Sequence, residues 1–283
     1  MTFVLPFGLV YLLFTIWPVI QGAYVSFHKW NLMGDQGSVG MANYVKLWND
    51  KFFWQALGHT AWFSLITVPV LMVVAVSLAL LADRKTVFRR FLRSSYYLPS
   101  VLSVSVASFI ASYMAAPYLG FVNNLLHDLG ILRAGQEIQW LMDKNLVWVL
   151  LSLTTIWWTI GFSMLLYLAA LQEIPDEIME AADIDGASKF KQLFQITLPL
   201  LSRTHYLVIL LQVIACFKVF GQIQLITNGG PGTATKSLVM YIYEAGFKKN
   251  NLGYASAMSF ALFLILLILS LIQVRLQSRS DSE

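Results

Sequence analysis

The chain has 283 residues, 58% of them hydrophobic and only 12% charged, against about a quarter charged in an ordinary soluble domain. That balance excludes a water-solvated globular protein and makes lipid the solvent for most of the surface. The formal charge of +4 does not point to nucleic acid, because the basic residues fall mainly in short loops beside apolar blocks, where the positive-inside rule accounts for them.

The apolar blocks are about the length a helix needs to cross roughly 30 Å of hydrocarbon. In chain order they run from about Phe3 to Phe27, Ala61 to Ala82, Tyr97 to Ala116, Val147 to Leu171, His205 to Thr227 and Tyr254 to Val274. The first has no basic region in Met1 to Val10 and no Ala-x-Ala-like exit, so it reads as a retained helix rather than a cleaved signal. A native tail upstream of it stays open. Arg84, Lys85, Arg89, Arg90 and Arg93 cluster between the second and third blocks, and Arg275 and Arg279 follow the sixth. Both termini are therefore expected in the cytoplasm. The stretches Phe27 to Thr60, Pro117 to Leu146 and Asn228 to Gly253 are then expected outside, with Trp30, Trp62 and Trp148 at headgroup level. The expectation is an all-α integral membrane protein of six transmembrane helices, one transmembrane domain over residues 1–283. The single cysteine, Cys216, lies within an apolar block and allows no intramolecular disulfide.

Between the fourth and fifth blocks, about residues 172–202, the chain is neither apolar enough to span nor disordered in composition. Pro175, Asp176 and Glu177 look like a helix start, Ala181, Ala182 and Ile184 continue it, and Gly186 ends it. Lys189 to Gln195 can form a second short helix before Leu198 and Pro199 lead back to the membrane. A helix-turn-helix held there is a docking element rather than a linker.

The motif within it is Glu180-Ala181-Ala182, then Gly186, then Ile196-Thr197-Leu198-Pro199. This resembles the EAA loop of permease subunits in bacterial binding-protein-dependent ABC importers. Small Ala181 and Ala182 permit close approach, Glu180 offers a charge to a basic partner, and Gly186 allows a tight reversal. An ordinary amphipathic connector would match this interval pattern only by accident. The resemblance gives an ATPase-coupling set of Glu180, Ala181, Ala182, Asp185, Gly186, Ile196, Leu198 and Pro199, with Ala182 packed into a cleft of the ATPase. It extends over Phe91-Leu92-Arg93, Tyr97-Leu98-Pro99, Gly120 with Asn123 and Asn124, and Ile174-Pro175. Thr227-Asn228-Gly229-Gly230-Pro231, Tyr241, Phe247 and Gly253-Tyr254-Ala255-Ser256-Ala257 resemble the carbohydrate-uptake branch and, within it, the maltose-type permease. The resemblance implies a type I importer fold and a pairing with a second, non-identical permease. It further implies two cytoplasmic ATPase subunits and an extracytoplasmic solute-binding protein. ATP and Mg would then sit on the ATPase subunits, leaving no cofactor in this chain and no enzyme activity of its own.

Polar residues inside the blocks are candidates for the solute path. Ser152, Thr155, Thr159 and Ser163 recur at helical intervals, as do Ser105, Ser108 and Ser112. Such hydroxyls either let helices pack and bond across an interface or line a cavity. The fifth block carries Gln212, Lys218 and Gln222, and a continuous helix would put the last two on nearly one face. Lys218 has no acid beside it, because the position three residues on, acidic in resembling permeases, is Gly221. A deep lysine is costly unless paired or hydrated, so it either reaches water or a partner's acid, or it receives an anionic or hydroxylated solute. Gly230 to Ser237 misses a phosphate-binding loop, with Thr235 where glycine is required before Lys236. His28, His59, His127 and His205 are too scattered for a metal site. An ion-coupled secondary transporter is the alternative function, but it would need acids among its spans, and these blocks hold none. A membrane-embedded enzyme would need a catalytic pair or metal cluster, and none is visible.

Overall fold

The computed structural model describes residues 5–83, 89–133 and 135–280. Phe3, Arg84 and Lys85, together with the side chains of Arg89, Arg90 and Arg279, lie outside the described residues. In chain order, α1 (Leu5–Ser26, with a π-helical turn at Leu12–Ile16) leads to a short antiparallel hairpin, β1 (His28–Asn31) and β2 (Gly34–Ser38). Then come α2 (Ala42–Trp48), α3 (Lys51–Asp83), α4 (Arg89–Tyr97) and α5 (Val104–Met114), with a 3-10 turn, Leu98–Val101, between the last two. They are followed by α6 (Phe121–Asp128), α7 (Leu146–Gln172), α8 (Asp176–Ile184) and α9 (Lys189–Leu200). The chain ends through α10 (Ser202–Phe217), α11 (Gly221–Ile226), α12 (Leu238–Tyr243) and α13 (Leu252–Ser280).

Among the described residues four helices, α1, α3, α7 and α13, are each long and apolar enough to cross a membrane, and six spans result if each of two bent pairs counts as one. Two of the six expected spans are thus bent pairs, a feature the apolar blocks did not indicate. The third span turns by 103° between residues 93–101 and 104–114, and the fifth region by 63° between 189–200 and 202–217. Pro99 in the 3-10 turn has no N–H to continue a helix. Ser103 then restarts it, its hydroxyl accepting from the Val106 amide at 3.3 Å. The helix expected over Lys189 to Gln195 likewise runs on to Leu200.

The chain divides into two compact units. One holds the described residues up to His59 with Lys236–Leu269. At its centre Asp50 accepts hydrogen bonds from the Tyr241 and Tyr254 hydroxyls at 2.6 and 2.5 Å and, ahead of α3, from the Phe52 amide at 2.9 Å. Burial pushes the Asp50 carboxyl up, but the two phenols and the amides of Phe52 and Phe53 outweigh it, holding the group below its ordinary value. Its contribution is thus complete above the usual carboxylate range and fades as pH falls through the lowered value.

The other unit holds Thr60–Thr235 and the chain from Ser270 onward. Its core is a seam in which Leu71, Ala75, Ala79 and Ala82 of α3 meet Ile156, Ile160, Met164, Tyr167 and Leu168 of α7, with Val208 of α10. The alanines recur every three or four residues, so the helix backbones approach closely, which is the main attraction available between helices in lipid. Trp148, near the start of α7, is buried in this unit, 5.9 Å from the Phe63 ring. Asn123 is buried too: its amide donates to Glu137 at 2.8 Å and its carbonyl accepts from Trp140 at 3.2 Å. Thr235, where a phosphate loop needs glycine, is a buried tie that donates to the Gly230 carbonyl at 2.6 Å.

The bend between α4 and α5 is fastened to α7. The Trp158 indole donates to the Leu102 carbonyl at 3.0 Å, and a Cβ on Gly161 would stand 2.4 Å from the Tyr96 carbonyl oxygen. The two nearest neighbours, that oxygen and the Tyr97 Cα at 2.7 Å, are backbone and cannot yield as a flexible side chain would, and the Ser100 hydroxyl follows at 2.8 Å. Gly161→Ala should therefore lower the stability of the purified protein by about 1–3 kcal/mol, read as a drop in thermal unfolding midpoint. Gly58→Ala, with nothing within 4 Å of the new methyl, should leave the midpoint unchanged or raised.

Candidate solute path and coupling element

α10 stops at Phe217. Lys218 leaves the helix at φ −94°, ψ 6°, Phe220 departs further at φ −141°, ψ −64°, and α11 begins only at Gly221. α11 lies against α5, whose Val104 methyls are 3.5 Å from where a Cβ on Gly221 would be, an ordinary packing distance. This overturns the expected single face carrying Lys218 and Gln222: the two residues belong to different elements, with exposed Lys218 at the interruption itself. They nonetheless meet at one cavity of about 340 Å³, which Thr155, Thr159 and Gln212 also line. Phe63, Trp158 and Phe220 supply aromatic walls. Sequence reasoning missed these rings, although a tryptophan beside two path threonines was a signal.

The hydroxyl stripe of α7 divides between its two readings. Ser152 accepts from Thr67 of α3 at 3.0 Å and Ser163 accepts from the Gln212 amide at 3.0 Å, both fully enclosed. Those two are packing contacts, and Ser163 does not line the cavity. Thr155 and Thr159 do line it, and Thr155 donates to the Gln222 side-chain oxygen at 2.8 Å while the Gln222 amide donates to the Leu151 carbonyl at 3.1 Å. Gln222 is thus pinned to α7 at both ends. On α5, Ser108 is buried, Ser112 half-buried and Ser105 exposed.

The second candidate site is the pair α8 and α9. Gly186, at φ +71°, ends α8 in a reversal that the Gly186 amide closes onto the Asp183 carbonyl and the Ala187 amide onto the Ala182 carbonyl. This two-bond geometry is a Schellman stop, which favours glycine at the left-handed position. Nothing lies within 4 Å of a Cβ there, so the requirement is one of backbone conformation and not of space. Ser188 caps α9, accepting from the Lys191 amide. Glu180, Ala181, Asp185 and Gly186 are all exposed, and Ile184 is 87% exposed. Ala182 corrects the expectation made of it, because its own chain already covers it, to 7% exposure. It cannot also fill a partner's cleft. Ile196 and Leu198 are half-buried and Pro199 exposed. Two further apolar side chains project here, Phe190 at 71% exposure and Phe194, with ring centroids 4.5 Å apart.

Residues 72–282 match the family described as "binding-protein-dependent transport system inner membrane component". The chain belongs to this family. Its members are transport components rather than enzymes, and this permease is a multi-pass inner-membrane protein that works with a binding protein. It is 31% identical to the probable ABC transporter permease protein YurN of Bacillus subtilis, over 95% of this chain and 92% of that one. It is 32% identical to the sulfoquinovosyl glycerol transport system permease protein SmoG of Agrobacterium fabrum, over 98% and 89%. The identity is 31% to the arabinooligosaccharides transport system permease protein AraP of Bacillus subtilis, over 99% and 89%. Among solved structures, a chain of a bacterial ABC transporter involved in import of the acidic polysaccharide alginate shares the fold, with a TM-score of 0.84 over 98% of this chain and 94% of that one, at 23% identity. The permease therefore has the ABC importer permease fold.

In this permease Gln222→Leu should cost only about 1 kcal/mol of stability. The single Thr155 hydroxyl proton can then be donated wholly to the Leu151 carbonyl, 2.8 Å away, so neither partner is orphaned. Thermal unfolding in detergent measures this, and a loss several times larger would mean that Gln222 holds α11 in place.

Proposed function

We propose that this permease forms half of the path by which a sugar or oligosaccharide, delivered by an extracytoplasmic binding protein, enters the cell. A second, non-identical permease supplies the other half, and two cytoplasmic ATPase subunits carry the ATP and Mg. The cavity at the α10–α11 interruption supports this reading most directly. It gathers a lysine, two amides and two hydroxyls between aromatic walls, and such groups can replace water around a hydroxylated solute. SmoG and AraP, named for a sulfosugar derivative and for arabinooligosaccharides, favour a carbohydrate. Both termini face the cytoplasm in this reading, which puts α8 and α9 on the ATPase side with Glu180, Ala181, Ile184 and Asp185 as contact residues.

The exposed ammonium of Lys218, with no acid lining its cavity, favours an acidic saccharide over a neutral one. In Lys218→Met, which keeps the apolar stem and removes the charge, transport of acidic saccharides by the reconstituted importer should fall about tenfold or more, the scale of a charge-assisted hydrogen bond. Neutral ones should be little affected. Unchanged transport of every accepted solute would make the lysine structural.

Coupling is tested separately at Gly186. A β-branched residue is strained at φ +71°, so Gly186→Val should distort the end of α8. Stimulation of ATP hydrolysis by loaded binding protein should fall sharply while the permease stays in the membrane. Normal stimulation would remove the coupling assignment.

A further inference from the structure

We propose that Asp183, Lys189 and Gln192 form a clasp that turns α8 and α9 into one rigid lever, with Gln192 as the residue that positions α8 for coupling. The proposal rests on the reading of this element as the ATPase contact. α8 has nine residues, fewer than the roughly 12–15 an isolated helix needs to persist in water. Only the turn around Gly186 joins it to α9, and glycine is the softest joint a chain can have. A push on α8 would be absorbed by rotation at that joint unless something bridged it.

The clasp bridges it. One Asp183 oxygen accepts from the Gln192 amide at 2.6 Å and from the Lys189 ammonium at 2.8 Å, and the other accepts from Lys189 at 3.1 Å. Lys189 also donates to the Gln192 side-chain oxygen at 3.1 Å, and the Gln192 amide donates to the Ala187 carbonyl, inside the turn, at 3.0 Å. The three side chains and the turn thus form one closed network. The Lys189 bonds, then that of Gln192, hold the Asp183 carboxyl below its ordinary value, so it stays ionised at neutral pH.

The members are not equal. Lys189 and Asp183 are largely exposed, and an exposed ion pair adds little. Gln192 is only 1% exposed, although glutamine is ordinarily a surface residue. Its amide, held in place by that burial, makes a charge-assisted bond to Asp183, the stronger kind. From Gln192 the helix continues to Leu200, and α10 starts two residues later and carries Gln212 to the cavity. Displacement of α8 can therefore reach the solute path without passing through the glycine joint.

The test uses the whole importer in liposomes, with both permeases, the ATPases and loaded binding protein. Gln192→Ala should assemble and hydrolyse ATP normally without binding protein. Its stimulation by loaded binding protein should fall at least about fivefold, the low end of ordinary coupling between sites, and fewer solute molecules should enter per ATP. That ratio would not move if Gln192 merely stabilised the fold. Asp183→Ala should act alike, and the double variant should be no worse than the worse single one, because both remove one network. Unchanged stimulation and unchanged solute per ATP in Gln192→Ala would overturn the clasp, as would additive losses in the double variant. Should Gln192→Ala fail to assemble, Asp183→Ala and Lys189→Met, at exposed positions, are read instead, and wild-type coupling in both overturns the proposal. Coupled Gln192→Ala beside uncoupled Gly186→Val rejects the clasp alone, whereas full coupling in both rejects the docking reading beneath it.

Discussion

Inside hydrocarbon no water is available to bond a free amide or carbonyl, so a helix can be interrupted only where other protein groups take up the backbone it releases. Two interruptions organise the larger unit, and they are closed differently. At Leu98–Ser103 the closure is external: a tryptophan indole takes the Leu102 carbonyl and Gly161 lets a neighbouring backbone press in. At Lys218–Phe220 it is local, with the Lys218 and Val219 amides bonding back to the carbonyls of Ala215 and Cys216. The first interruption is welded to α7. The second leaves space beside it, and the polar cavity lies there.

This difference explains why polar residues on one helix do unlike work. Ser152 and Ser163 of α7 face partners that fit them closely and act as interhelical bonds. Thr155 and Thr159 share their helix but face the interruption, and they line open space. What a hydroxyl does here is decided by the neighbouring element and not by its own helix.

The same reasoning marks what could be read from sequence. Blocks of apolar residues report contact with lipid, so the four long spans were legible, α1 and α7 closely, whereas α3 starts at Lys51 rather than Ala61 and α13 runs on to Ser280 rather than Val274; the helical pair α8 and α9 was legible from the acids after Pro175 and from Gly186. The two bends were not, because composition stays apolar across them and a hydropathy pattern carries no direction. Pro99 and Gly221 were the available signals, one lacking a donor and the other a side chain. The hairpin at His28–Ser38 escaped notice because its pairing is backbone to backbone and its strands are mostly polar. Ala182 illustrates another limit: a small residue in a docking motif permits close approach to its own chain as readily as to a partner. The Gln192 network was invisible because it depends on the reversal at Gly186 bringing residues nine apart together.

Ile184, Phe190 and Phe194 stand exposed on a short, polar, helical element outside the apolar spans. Uncovered side chains of that size in water attract one another and attract chaperones and proteases. In the isolated permease this short element would therefore be an adhesive spot in its own right, apart from the apolar faces of the long spans.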